Sequence, residues 1–145
     1  MLFRSNLWAQ NGTASYAFKA ISYYESYLRT APGDNEARTD LGAMYFYAGD
    51  TDKAIQAAAD VIAEEPRHVE ANYNLGLFYW HGRADYENAA AQFMTVMDLT
   101  KAGGPLADED VYSSAQTQLG LLNTEAAGAG VDLGIDAGYL PEGSN

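Results

Sequence analysis

Apolar residues recur at intervals of three and four between residues 35 and 65, and this spacing predicts two amphipathic helices in succession. Gly49 is expected to end the first helix, in the left-handed conformation that glycine adopts readily. Asp50 or Thr51 can then cap the second helix, and Pro66 stops it. The predicted buried positions are Ala37, Leu41, Met44, Tyr45 and Ala48 in the first helix and Ala54, Ile55, Ala58, Val61 and Ile62 in the second.

This helix pair is one unit of a repeat, which must be recognised before any single residue is given a role. Ala54 corresponds to Ala89 at an interval of 35, and we expect the extra residue in the turn between two helices, where insertions are tolerated. The identical residues 34 positions apart are Ala37/Ala71, Leu41/Leu75, Gly42/Gly76, Tyr45/Tyr79, Lys19/Lys53, Ala20/Ala54, Ile21/Ile55 and Pro32/Pro66.

One further helix is predicted after the last full unit, over residues 108–127. Its apolar stripe consists of Val111, Ala115, Leu119, Leu122 and Ala126. The following residues, 128–145, are rich in glycine and predict an irregular tail. We expect this tail to dock on the chain's own groove or on a neighbouring chain through Val131, Leu133, Ile135, Tyr139 and Leu140.

The period of 34, with two helices per period and the order Leu-Gly-x-x-Tyr, Ala, Pro, resembles the tetratricopeptide repeat family. Trp8 departs from that pattern, because it stands where the first unit should have glycine. The resemblance implies an all-α fold, an α-α solenoid (right-handed superhelix) of about three helix pairs with a C-terminal capping helix. The matching residues are Leu41, Gly42, Tyr45, Ala54 and Pro66, then Leu75, Gly76, Tyr79 and Ala89.

The same resemblance divides the chain into a repeat domain and a tail. The repeat domain would cover residues 1–127, with repeats at about 1–34, 35–68 and 69–103 and the capping helix at about 108–127. Residues 128–145 would form the Gly-rich, acidic C-terminal tail.

Charge and composition argue against several classes of function. The formal net charge is −12, and residues 102–145 carry seven acidic side chains and no basic one. Because such a surface repels phosphate groups, we expect neither nucleic acid nor direct membrane binding. The absence of cysteine excludes disulfides and thiolate zinc sites, and two histidines leave little scope for general-base chemistry. We therefore expect no enzyme, no cofactor and no metal.

The compartment is not determined by the sequence. No apolar run is long enough to span a membrane. We expect a soluble domain that is cytoplasmic by default and extracytoplasmic if an N-terminal anchor has been removed.

What the resemblance implies is a binding module whose first helices line a concave groove for a peptide or helix of a partner protein. Carried onto this chain, the groove residues are Thr39, Ala43, Phe46, Tyr47, Tyr73, Asn74, Leu77, Trp80 and His81. Further candidates are Ser5, Asn6 and Ala9 near the N-terminus and Thr117, Gln118 and Leu121 on the last helix. The cationic clamp by which some members hold a terminal carboxylate is missing, and only Asn74 is compatible with it. An apolar or mildly basic ligand fits better.

Several alternatives stay open. Tyr73, Trp80 and His81 either offer a contact surface or are covered by the C-terminal helix or tail. His81 either bonds the last carbonyls of its helix, which we favour, or serves a metal or catalytic role. His68 is expected to be exposed between repeats. The predicted function is a non-enzymatic adaptor, and the alternative is a structural module that forms homo-oligomers through the same faces.

Overall fold

A computed structural model of the chain describes residues 13–143 of its 145 residues. Each helix packs against the next one along the chain, and no strand occurs between residues 13 and 143. This is the α-α solenoid that the resemblance implies. The helices are α1 (Thr13–Thr30), α2 (Asn35–Tyr47), α3 (Thr51–Glu64), α4 (Val69–Leu77), α5 (Tyr86–Thr100) and α6 (Glu109–Gly128), with a π-helical turn at Phe78–Gly82 and a 3₁₀ turn at Ala137–Tyr139.

Close helix approach depends on the two glycines of the repeat. A Cβ at Gly76 would lie 3.0 Å from Phe93 Cε1, and one at Gly42 would lie 3.4 Å from the Cβ of Ala57. Any larger side chain at Gly76 must therefore displace the buried ring of Phe93. Phe93 belongs to the largest apolar cluster, which lies between α4, α5 and α6.

Capping side chains set where α2 to α6 begin. Four of the five caps are aspartates, at positions 34, 50, 85 and 108, and each accepts a hydrogen bond from the backbone N–H three residues on. The fifth cap is His68, whose Nδ1 accepts from the Ala71 N–H at 3.1 Å. Because Nδ1 accepts there, the ring proton lies on Nε2, which donates to Glu36 Oε1 at 2.8 Å. The expectation that His68 is exposed was wrong: this pair of bonds holds it buried between α2 and α4.

The extra residue of the third unit lies in a helix, and the prediction that it belongs to the inter-helix turn was wrong. The N–H of Asp50 donates to the carbonyl of Tyr45, and the N–H of Asp85 donates to that of Tyr79, each at 2.9 Å. The same closing bond therefore spans five residues in one unit and six in the next. The π-helical turn Phe78–Gly82 absorbs the difference, as π turns do for single insertions, and both flanking helices keep their register.

The C-terminal tail is an ordered part of this architecture. Leu133, Ile135, Tyr139 and Leu140 pack against the cluster between α4, α5 and α6, which confirms docking of these four residues on their own chain. The Tyr139 hydroxyl donates to the carboxylate of Asp98 on α5, with its oxygen 3.0 and 3.1 Å from the two carboxylate oxygens. An extended segment thus covers the apolar side of the last helix pair, where a solenoid would otherwise expose its core.

Candidate functional site

The candidate site is the side of the solenoid formed by α2, α4 with its π-helical turn, and α6. The α2 side chains named from the sequence are mostly buried there. Ala43 and Tyr47 pack with Ala17 of α1, and the Thr39 hydroxyl donates to the Asn35 carbonyl of its own helix at 2.7 Å. Phe46 is half-buried, and its ring stacks on Phe78 with centroids 5.1 Å apart.

Tyr73 and Trp80 are covered by the C-terminal helix, one of the two arrangements that the sequence left open. Tyr73 is 3% exposed and shares a 2.9 Å hydrogen bond with the Ser114 hydroxyl. Trp80 is 7% exposed, and its indole N–H donates to Glu125 at 2.9 Å. Burial raises the pKa of Tyr73. Leu77, between them on the same face, is buried in the same cluster.

His81 lies flat on Trp80, with ring centroids 4.4 Å apart and planes 20° apart. Partial burial lowers the pKa of the His81 ring, and the nearby Glu125 carboxylate opposes that shift. Between residues 13 and 143, no three His, Cys, Asp or Glu side chains come together in a way that could hold a metal ion. The exposed His81 ring forms the accessible edge of its stack with Trp80.

Asn74 is the unusual polar residue of this face. Its side chain is 1% exposed, and in the described part of the chain neither its amide nitrogen nor its oxygen has a hydrogen-bond partner. The neighbouring Asn72 is equally buried, but its amide donates to the carbonyls of His68 at 2.8 Å and Pro66 at 3.2 Å. Asn74 precedes Phe78 by one helical turn, which places it towards the α2–α4 junction, since Phe78 stacks on Phe46.

The accessible part of the face is completed by α6. Leu121 is 55% exposed, Thr117 is exposed and Gln118 is half-buried. Leu121 lies one turn before Glu125, and so on the side of α6 that meets Trp80. The accessible side chains of this face are thus Phe46, His81 and Leu121, and the same face contains the buried, unpaired amide of Asn74. The remaining candidates, Ser5, Asn6 and Ala9, lie outside the described residues.

Comparison with known proteins agrees with this geometry. The family model for the tetratricopeptide repeat matches residues 19–60 and 39–97, which together span more than half of the chain. The chain belongs to the tetratricopeptide repeat family. No curated protein matches it significantly. Tetratricopeptide repeats are generally protein–protein interaction modules and are typically not catalytic. Within the range 13–143, no helix of this family member is long and apolar enough to cross a membrane.

Sequence reasoning missed two α6 residues, Ser114 and Glu125, which bind Tyr73 of α4 and Trp80 of the π-helical turn. Ser114 and Glu125 are separated by about three helical turns, and Tyr73 and Trp80 by about two. Each pair therefore lies along one side of its helix, so the two contacts form together when α6 packs on α4. The helical spacing of Ser114 and Glu125 was the available sequence signal. Spacing alone does not show which helix packs against which.

Proposed function

We propose that this chain is a non-enzymatic adaptor that binds a peptide or helix of a partner protein on the face formed by α2, α4 and α6. The observation that carries the proposal is the buried, unpaired amide of Asn74. A buried polar group without a partner costs about 1–3 kcal/mol, so such a group calls for a reason. A peptide backbone supplies both the acceptor and the donor that this amide needs.

Ligand entry requires side-chain motion, because Asn74 is almost fully covered. The unpaired amide makes that motion less costly, since opening the site breaks no hydrogen bond of the Asn74 side chain. A ligand that enters gains a donor and an acceptor there, and it buries apolar surface against Phe46 and Leu121. We expect a Kd of about 1 μM, which corresponds to roughly −8 kcal/mol.

The nine residues named from the sequence would then act in two layers. Phe46, Asn74 and His81 would touch the ligand. The other six are buried and would hold these three in place by packing and by the hydrogen bonds of Tyr73 and Trp80. These six are Thr39, Ala43, Tyr47, Tyr73, Leu77 and Trp80. The net charge of −12 and Glu125 beside the face favour an apolar or mildly basic ligand.

The test compares two neighbouring asparagines. Peptides selected from a random library by the wild-type chain are titrated by calorimetry into Asn74→Leu and Asn72→Leu. Asn74→Leu removes an unpaired amide, so we expect it to raise the free energy of unfolding by about 1 kcal/mol and yet weaken binding at least tenfold. Asn72→Leu removes two made hydrogen bonds, so we expect lower stability with unchanged affinity for the remaining folded protein.

The outcomes separate this function from its competitors. Equal affinities of wild type and Asn74→Leu would place the ligand elsewhere. An absence of selected peptides, together with self-association that Leu121→Ser abolishes, would favour the homo-oligomer formed through the same face.

A further inference from the structure

A second surface lies on α1, away from the proposed peptide face. In the described part of the chain six large apolar side chains are exposed, and four of them belong to this helix: Tyr16, Phe18, Tyr23 and Tyr27, at 40–68%. Tyr16, Tyr23 and Tyr27 are spaced by seven and four residues and so lie along one side; we call them the tyrosine stripe. Phe18 lies on the roughly opposite side, because two helical residues are about 200° apart.

Two of the three side chains of the tyrosine stripe, Tyr23 and Tyr27, make contacts that order them before any partner arrives. The Tyr27 hydroxyl donates to Asp34 at 2.7 Å, which orients its ring. Tyr23 rests edge-on against Tyr24, with centroids 5.7 Å apart, and Tyr24 in turn donates to Asp40 of α2 at 3.2 Å. Aromatic side chains that are already ordered lose little conformational entropy on association, and exposed clusters of them mark contact surfaces.

The first and last parts of the described chain differ in charge and in how far their apolar side chains are covered. Helix α1 carries Lys19, Glu25 and Arg29, for a net charge of +1, whereas residues 102–143 carry seven acidic side chains and no basic one. At the C-terminal end the tail turns its apolar side chains inward and leaves Asp132, Asp136 and Glu142 exposed. Within residues 13–143 the tyrosine stripe is therefore an exposed, nearly neutral surface, whereas the C-terminal end is covered and acidic.

We propose that two copies of this chain associate through the tyrosine stripe, with their α1 helices antiparallel about a two-fold axis near Tyr23. Residues equally far before and after Tyr23 then meet across the axis. Lys19, which flanks the stripe, comes to lie over the ring of the partner's Tyr27, a favourable cation–π arrangement. Both copies use the same patch, so the contact closes at two and the acidic ends point apart.

A head-to-tail contact is the competing arrangement. Attraction between the α1 end and the acidic C-terminal end favours it, but the tyrosine rings would then meet carboxylates instead of apolar surface. In residues 102–143 the exposed large apolar side chains are Leu106 and Leu121, which form no matching stripe. A helix of 18 residues is about 27 Å long. A dimer contact made by one helix of this length buries less surface area than a standard protein–protein interface, so the dimer is weak and reversible.

The first test measures mass against concentration for the full chain, by sedimentation equilibrium between about 1 μM and 1 mM. Wild type is expected to approach the mass of two chains and no more. Tyr23→Ser is expected to weaken the dimer at least tenfold, as removal of a central aromatic anchor does. The matched control is Phe18→Ser, an equally exposed aromatic on the other side of the same helix, which is expected to change nothing. Thermal unfolding checks that both variants fold like wild type.

The second test uses the absence of cysteine from the chain. Tyr23→Cys places one thiol per copy at the proposed axis, and oxidation is expected to give a disulfide-linked dimer, whereas Phe18→Cys is not. Mass that continues to rise beyond two chains, or a monomer at every concentration, would overturn the proposal. So would equal effects of Tyr23→Ser and Phe18→Ser, which would point to other contacts. Peptide binding on the face formed by α2, α4 and α6 is independent of all these outcomes.

Discussion

The indole N–H of Trp80 donates a 2.9 Å hydrogen bond to Glu125, a carboxylate 45 residues later in the chain. This bond ties the π-helical turn Phe78–Gly82 to α6, and His81 stacks on the same indole. The Tyr86 hydroxyl reaches the other oxygen of Glu125 at 3.3 Å. One carboxylate thus joins α6 to the π-helical turn and to the start of α5.

Replacing Glu125 tests that junction. Glu125→Leu would leave the buried Trp80 N–H without an acceptor, and we expect it to lower the free energy of unfolding by about 1–3 kcal/mol. Glu125→Gln keeps an acceptor oxygen and should lose less than half as much. Urea denaturation measures both. Equal losses in the two variants would mean that the charge of Glu125, and not its acceptor, holds α6 in place.

Ala84, which follows the π-helical turn, has a strained backbone conformation. Ala84 has φ of +49°, while Gly49, at the corresponding end of α2, has φ of +87°. An L-residue in the left-handed region costs roughly 1–2 kcal/mol, and glycine avoids that cost but loses more entropy on folding.

We therefore expect Ala84→Gly to raise the free energy of unfolding by about 0.5–1 kcal/mol, measured by urea denaturation. Gly49→Ala, as the matched change, should lower it by a similar amount. If Ala84→Gly destabilised the chain, then Ala84 would hold no strain that glycine can relieve.

Helix ends and repeat register could be predicted from the sequence, and inter-helix contacts could not. Gly49 and Pro66 are local signals, because they act through their own backbone, and both helices end where they predict. The position of the extra residue in the third unit could not be predicted. An insertion in the inter-helix turn and a π-helical turn both give the same 35-residue interval. Whether Tyr73 and Trp80 are covered depends on where α6 packs. The sequence pattern of α4 carries no information about that packing.

The tail offers the next prediction. Removing residues 131–145 would uncover the surface on which Leu133, Ile135, Tyr139 and Leu140 pack. Four half-buried apolar side chains contribute about 4 kcal/mol before the entropy of ordering the segment is subtracted. We expect a net loss of about 1–2 kcal/mol in the free energy of unfolding, with stronger binding of a hydrophobic dye.

The point variant Ile135→Ser, which keeps the chain length, should reproduce part of the loss. Thermal unfolding and dye fluorescence are the measurements. Truncated and full-length chains that unfold at the same temperature would show that the docked tail adds nothing to stability.

Tyr24 gives a prediction for alkaline pH. Burial, followed by the charge and hydrogen bond of Asp40, raises the pKa of Tyr24 to about 12 from an ordinary value near 10. Between these two values the folded chain holds a proton that the unfolded chain has lost. Its contribution to stability is thus complete below pH 10 and is lost as the pH rises through about 12.

Tyr24→Phe removes this group while keeping the ring. The free energy of unfolding of wild type should fall more steeply than that of Tyr24→Phe between pH 10 and about 12, the pKa of Tyr24 in the folded chain. Lysine titration affects both proteins equally, so the difference between the two slopes isolates Tyr24. Urea denaturation at a series of pH values gives the slopes. Parallel curves would mean that Tyr24 titrates alike in the folded and unfolded chains, and that its contact with Asp40 does not persist in solution.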